Sequence, residues 1–117
     1  MAVKRSVRIA ERIRREAGRI LLFEVKDPGV KPITISEVRI TDDLKLAKIY
    51  YTVFDEQKQR EQAEQALQRA GKFIRSEIGK CIDLRFIPEI EFHYDKIPEQ
   101  TQKLNELFAK IRDEEHE

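Results

Sequence analysis

Between residues 5 and 24 apolar side chains return every three or four positions, so that Ile9, Ile13, Ala17, Ile20 and Leu21 share one side of a helix. Pro28, Gly29 and Pro32 in EVKDPGVKP stop that pattern. Two stretches rich in β-branched and aromatic residues follow, ITISEVRIT and LKLAKIYYTVF. In the second, Ala47, Ile49, Tyr51 and Val53 alternate with Lys48, Tyr50 and Thr52, which is the period of a strand. In the first, the apolar parity changes between Ile35 and Val38, which predicts a bulge there. TDDLK supplies turn chemistry between them, so the pair predicts an antiparallel hairpin. Helical spacing then resumes, with Ala63, Ala66, Leu67, Ala70, Ile74 and Ile78 in one stripe and Asp55 and Glu56 at the positive N-terminal end. LRFIPEIEFHY alternates again, with Leu84, Phe86, Ile90, Phe92 and Tyr94 on one face, and Pro88 points to an edge strand or a bulge. Pro98 opens a last helical pattern carrying Leu104, Leu107, Phe108 and Ile111.

The predicted order is therefore α-β-β-α-α-β plus a C-terminal helix, an α+β domain with helices packed on one sheet. The helical crossover between the second and third strands makes those two parallel. With 117 residues the chain is sized for one domain. Its expected span is residues 1–112, with 113–117 a disordered acidic tail.

Composition narrows the chemistry. The longest apolar run is Ile20-Leu21-Leu22-Phe23, far below the roughly 20 residues of a membrane span. The basic start has no apolar segment of signal-peptide type behind it, so a soluble, cytoplasmic protein with no membrane contact is expected. Cys81 is the single cysteine, lies between Ile78 and Ile82 in the helical stripe, and is read as a small hydrophobe. No Cys/His spacing matches a metal site, and no cofactor is expected. Asp42-Asp43 is read as turn chemistry rather than as a catalytic carboxylate pair. No enzymatic constellation is left.

Net charge is only +1, but it is unevenly spread. Residues 1–31 carry +5, 32–68 carry −2, 69–86 carry +3 and 87–117 carry −5. Two basic segments and an acidic end point toward a polyanionic partner. The first segment sharpens this. Arg5, Arg8, Arg12, Arg15 and Arg19 step by three and four, and so fall within an arc of about 80°. Solvated helix faces usually mix signs, because opposite charges three or four apart stabilise the helix. Five arginines in one row repel each other unless an anion faces them. Tyr50 and Tyr51 are neighbours in a strand, so only one can face the core and the other is left for sheet packing or base stacking.

The second basic segment holds QRAGKFIR, with Gly71 inside helical spacing at a cost of about 1 kcal/mol relative to alanine. One reading is that Gly71 lets the helix approach the sheet. The other is a break into helices at 57–70 and 73–81, which would free N–H groups for phosphate, with Arg69, Lys72, Arg75 and Lys80 adding charge.

Four segments in order resemble the ribosome-binding factor A family of bacterial small-subunit assembly proteins. They are RIAERIRREAGRILLFEVKDP at 8–28, closing on Lys26-Asp27-Pro28; DLKLAKIYYTV at 43–53; and, within ALQRAGKFIRSEIGKCIDLRFIPEIEFHYD at 66–95, the helical junction and the last strand with Leu84-Arg85 and Pro88-Glu89. The resemblance covers residues 5–112. It implies a KH-like (type II) fold, a kink at Ala70 in place of a GXXG loop, and no catalytic activity. Gly71 directly after Ala70, and Lys72 where a small residue is usual, depart from the family's pattern. The implied partners are the 30S subunit and 16S rRNA, with assembly GTPases as further candidates, and the implied state is a monomer. The implied role is late 30S maturation, including 5′-end processing of 16S rRNA and cold adaptation. The candidate RNA-binding residues are Arg5, Arg8, Arg12, Arg15, Arg19, Lys26, Arg69, Ala70, Gly71, Lys72, Arg75, Lys80 and Arg85. Two rival readings stand beside this one: a KH-like module for a non-ribosomal RNA, and a protein-interaction adaptor acting through its acidic C-terminal helix.

Overall fold

The computed structural model describes residues 4–96. The predicted C-terminal helix and acidic tail lie outside the described residues. Along the described chain run α1 (Arg5–Phe23), a 3-10 turn (Pro28–Val30), β1 (Ile33–Ile40), β2 (Leu46–Val53), α2 (Glu56–Cys81) and β3 (Glu89–Tyr94). The strands form one sheet in the order β1-β2-β3, with β1 antiparallel and β3 parallel to the central β2. The hairpin and the parallel crossover are as the sequence predicts. The pairing register slips between Ile35 and Glu37, so Ser36 is the bulged residue at the place where apolar parity changes.

Both helices lie on one face of the sheet. The core joins Ala10, Ile13, Ala17, Ile20 and Leu21 of α1 to Ala63, Ala66, Leu67, Ile74 and Ile78 of α2, and both to Ala47, Ile49, Tyr51 and Val53 of β2. Val30, Ile35, Val38 and Ile82 complete it. β2 alternates strictly, buried toward the helices and half-buried on the other side, where Tyr50 meets His93 with ring centroids 5.6 Å apart. Tyr51 is the tyrosine that faces the core.

Local chemistry fixes the ends of the elements. Asp55 caps α2 by accepting from Lys58 N (3.3 Å), while Gln59 Oε1 accepts from Asp55 N (2.7 Å). In the hairpin turn, Asp43 Oδ1 accepts from Thr41 Oγ1 (2.7 Å) and from Lys45 N (3.0 Å). Leu44 takes a left-handed conformation there, with φ of 62°. The 3-10 turn sits close on α2. A Cβ at Gly29 would lie 2.8 Å from Ala66 Cβ and 3.1 Å from Gln62 O, so glycine is needed for that approach.

Two expectations are corrected. α2 is one helix of 26 residues, without a break into segments at 57–70 and 73–81. Nor does Gly71 permit a close approach, since a Cβ there would meet nothing within 4 Å. The physical reason is the small cost of one glycine, about 1 kcal/mol, in a long helix that is capped at its start and packed along a continuous apolar stripe. The second correction concerns β3, which begins at Glu89. Leu84 and Phe86 precede the strand, because Pro88 has no N–H to pair and the segment before it is held by α2 instead.

Candidate nucleic-acid interface

The arginine row of α1 is a real surface, and the structure divides it in two. Arg5, Arg8 and Arg15 are exposed and form no hydrogen bond or ion pair among the described residues. Arg12 instead reaches across to the end of α2, where Nη2 donates to Cys81 O at 2.7 Å. Terminal helix carbonyls lack partners within the helix and carry the negative end of its dipole, so a guanidinium is well suited to that place. Arg19 is half-buried and donates to Glu16 Oε2 (2.9 Å) and, through Nη2, to Cys81 Sγ (3.4 Å). Its hydrogen bond holds the Glu16 carboxyl below the usual carboxylate range. Cys81 is thus half-buried, packed on the core, and fastened to α1 at two atoms.

The residues of the second basic segment are also sorted. Arg69 pairs with Asp27 at the start of the 3-10 turn, Nη2 to Oδ2 at 2.8 Å. Asp27 also accepts from Gly29 N (3.0 Å), and that backbone bond, followed by Arg69, holds its carboxyl below the usual range. Arg75 donates through Nε to Pro88 O (3.1 Å) and through Nη2 to Ile87 O (3.0 Å), and its Nη2 is 3.4 Å from Glu89 Oε1. Lys80 pairs with Glu77 at 3.0 Å. Lys26 and Lys72 are exposed and form no ion pair among the described residues. Ala70 is half-buried against the core.

Arg69 and Arg75 are six positions apart, which turns them about 120° from each other around α2. Arg69 therefore faces the 3-10 turn and Arg75 faces β3. Gly71 and Lys72 fall on the β3 side, lining a groove of about 440 Å³ with Tyr51 and Phe92. The row on α1 meets α2 at its last turn rather than at residues 70–72. With α2 unbroken, the N–H groups of residues 71–75 are inside the helical ladder and offer no nest for phosphate.

What α1 does adjoin is the stretch after α2. Arg5, Arg8 and Arg12 line one depression with Ile82, Asp83 and Leu84. Arg5 also lines a second groove, of about 480 Å³, with Leu44 and Lys45 of the hairpin turn and with Leu84–Ile87. Cationic side chains thus extend along α1 from Arg15 through Arg8 to Arg5 and on to Lys45 and Arg85, with Asp83, Asp43 and Glu89 among them. Lys45 is a member that sequence reasoning missed. Its signal is the turn itself, since Asp43 fixes the Lys45 amide and leaves its side chain outside the sheet.

A family model described as Ribosome-binding factor A matches residues 5–108 of this chain. A ribosome-binding factor A of Renibacterium salmoninarum is 42% identical over 113 residues, covering 95% of this chain and 77% of that protein. One from Macrococcus caseolyticus is 36% identical over 107 residues, covering 92% and 94%. Among solved structures, the crystal structure of ribosome-binding factor A from Thermus thermophilus superposes with a TM-score of 0.67 at 22% identity, over 76% of this chain and 94% of that one. A Thermotoga maritima protein solved by solution NMR gives 0.70 at 28% identity, over 85% and 94%. A Thermus thermophilus homology model, as fitted into the cryo-EM map of a complex of that factor with the 30S subunit, gives 0.60 at 23% identity, over 72% and 88%.

Proposed function

The chain belongs to the ribosome-binding factor A family, and on that premise we propose that it binds 16S rRNA on the immature 30S subunit as a monomeric cytoplasmic factor. In this reading it acts by occupying RNA during late subunit maturation, including 5′-end processing of 16S rRNA and growth in the cold, and catalyses no reaction. Assembly GTPases are candidate partners at the same particle. The Thermus thermophilus relative fitted into a 30S complex supports the choice of particle.

The observation that carries the reading is the free half of the arginine row. Arg5, Arg8 and Arg15 point into solvent from a helix whose other arginines are engaged, Arg12 by α2, Arg14 by Glu11 and Arg19 by Glu16 and Cys81. Like charges on one helix face are held there at a cost, and phosphate contacts recover it. Such contacts position a protein on RNA without reading sequence, and they make affinity fall steeply with salt. No helix among the described residues is long and apolar enough to cross a membrane, so the row has no bilayer-spanning neighbour there.

Arg8→Glu combined with Arg15→Glu tests this cleanly, because neither side chain holds the fold together. The double variant is expected to keep its thermal unfolding temperature. It should lose about tenfold in affinity for 30S precursors in cosedimentation, with the slope of log affinity against log salt shallower by about 2. Unchanged cosedimentation in moderate salt rejects the reading. Arg12 is unsuitable for this purpose, since its replacement also uncaps α2.

A further inference from the structure

Phe86 is an aromatic ring left in water by a loop that is otherwise tightly fixed. The chain from Cys81 to β3 is anchored at several points. Ile82 and Pro88 are buried. Ile87 lies on Gly79 of α2, where any Cβ would overlap its Cδ1. Arg75 holds the carbonyls of Ile87 and Pro88, and Glu89 N donates to Lys45 O at 2.8 Å. With Ile87 laid against α2, Phe86 is turned outward and stays 75% exposed.

The surroundings of the ring are cationic. The Arg85 guanidinium carbon stands 5.4 Å from the ring centroid, and Arg5 and Lys45 line the same groove over a floor that includes Leu44, Leu84 and Ile87. Asp43 and Glu89 also line it, but Asp43 is bonded to Thr41 and Lys45 N, and Glu89 faces Arg75. Three cations against two carboxylates leave the groove net positive around an apolar plane. Aromatic side chains stack on bases of any identity, and neighbouring arginines hold the phosphates on either side.

We propose that Phe86, with Arg5, Lys45 and Arg85 about it, is a stacking site for an unpaired RNA base. The site deepens the RNA-binding reading above and rests on it. Arg5 belongs to both surfaces, so a strand whose phosphates lie along Arg15 and Arg8 arrives at the groove with its next base beside the ring. Duplex RNA would engage the arginines alone, because its bases are already stacked. The groove therefore selects a junction between paired and single-stranded RNA.

The chain contains no tryptophan, so Phe86→Trp introduces a single reporter at the site. Titration of this variant with a short unstructured oligoribonucleotide should quench its emission saturably, and the same strand annealed to its complement should not. Phe86→Ala should weaken oligonucleotide binding about tenfold at every salt concentration while leaving the salt slope unchanged. Arg8→Glu with Arg15→Glu should do the reverse, reducing the slope while quenching at saturation persists. Because Phe86 is exposed, neither substitution should alter the unfolding temperature. Absence of quenching in a protein that still cosediments with 30S precursors overturns the stacking site and leaves the arginine row standing. Absence of both overturns the two together. If quenching is absent and Phe86→Ala still abolishes subunit binding, the groove takes a protein and the proposal is wrong.

Discussion

Gly71 and Gly79 lie eight residues apart in α2, and their surroundings assign them opposite consequences. Nothing lies near a Cβ at Gly71, and its backbone is helical. Gly71→Ala is expected to stabilise the protein by about 1 kcal/mol in denaturant titration, as a helical glycine with open space at its Cβ should. A Cβ at Gly79 would collide with the Ile87 side chain, which must change rotamer because Arg75 holds its backbone carbonyl in place. Gly79→Ala is expected to destabilise by about 1 kcal/mol, the order of cost of forcing one side chain out of its rotamer. Equal stabilities for the two variants would show that the loop gives way more readily than its contacts indicate. In the sequence the two glycines look alike, because both interrupt helical spacing beside basic residues. What separates them is a contact from beyond the helix's own end.

The same limit explains which elements the sequence reveals. Helices α1 and α2, the hairpin and its bulge are written in side-chain periodicity, and the parity change from Ile35 to Val38 locates the bulge within a residue or two. The start of β3 is not written that way. Leu84 and Phe86 share the parity of Ile90, Phe92 and Tyr94, so alternation alone runs the strand back through a segment that Arg75 and Gly79 hold in a loop. The arginine row is equally visible, but the removal of Arg12 and Arg19 from it depends on Cys81, more than 60 positions away. The 3-10 turn carries a test at this scale. Asp27 has a folded pKa lowered by Gly29 N and Arg69, so its contribution is present above the ordinary aspartate value near 3.9 and is lost as pH falls through the lowered one. Asp27→Asn should therefore unfold earlier than wild type in denaturant at pH 7, with the gap closing below about pH 4. A gap that persists at low pH would assign the effect to packing rather than to charge.

Over the whole molecule, charge is separated along the chain more than it is balanced. Residues 97–117 hold three basic and six acidic side chains, so the first 96 residues alone carry +4. Removing 97–117 is expected to raise affinity for single-stranded RNA about two- to fivefold at low salt, with the gain fading as salt screens it. Loss of function in the truncated chain with its RNA affinity intact would favour the adaptor reading, in which that end is the docking element.

The sheet order β1-β2-β3 has a further bearing on how the protein comes to exist. A hairpin closes within microseconds, whereas β3 must return across a separation of about 35 residues before it can dock. Until then the middle strand offers a naked seam to any passing chain. α2 is the segment made in that interval, and it covers the face of the sheet while the edge of β2 waits for β3. The strand that closes the sheet is thus the last to be made, and the open edge of β2 is protected only once β3 has docked.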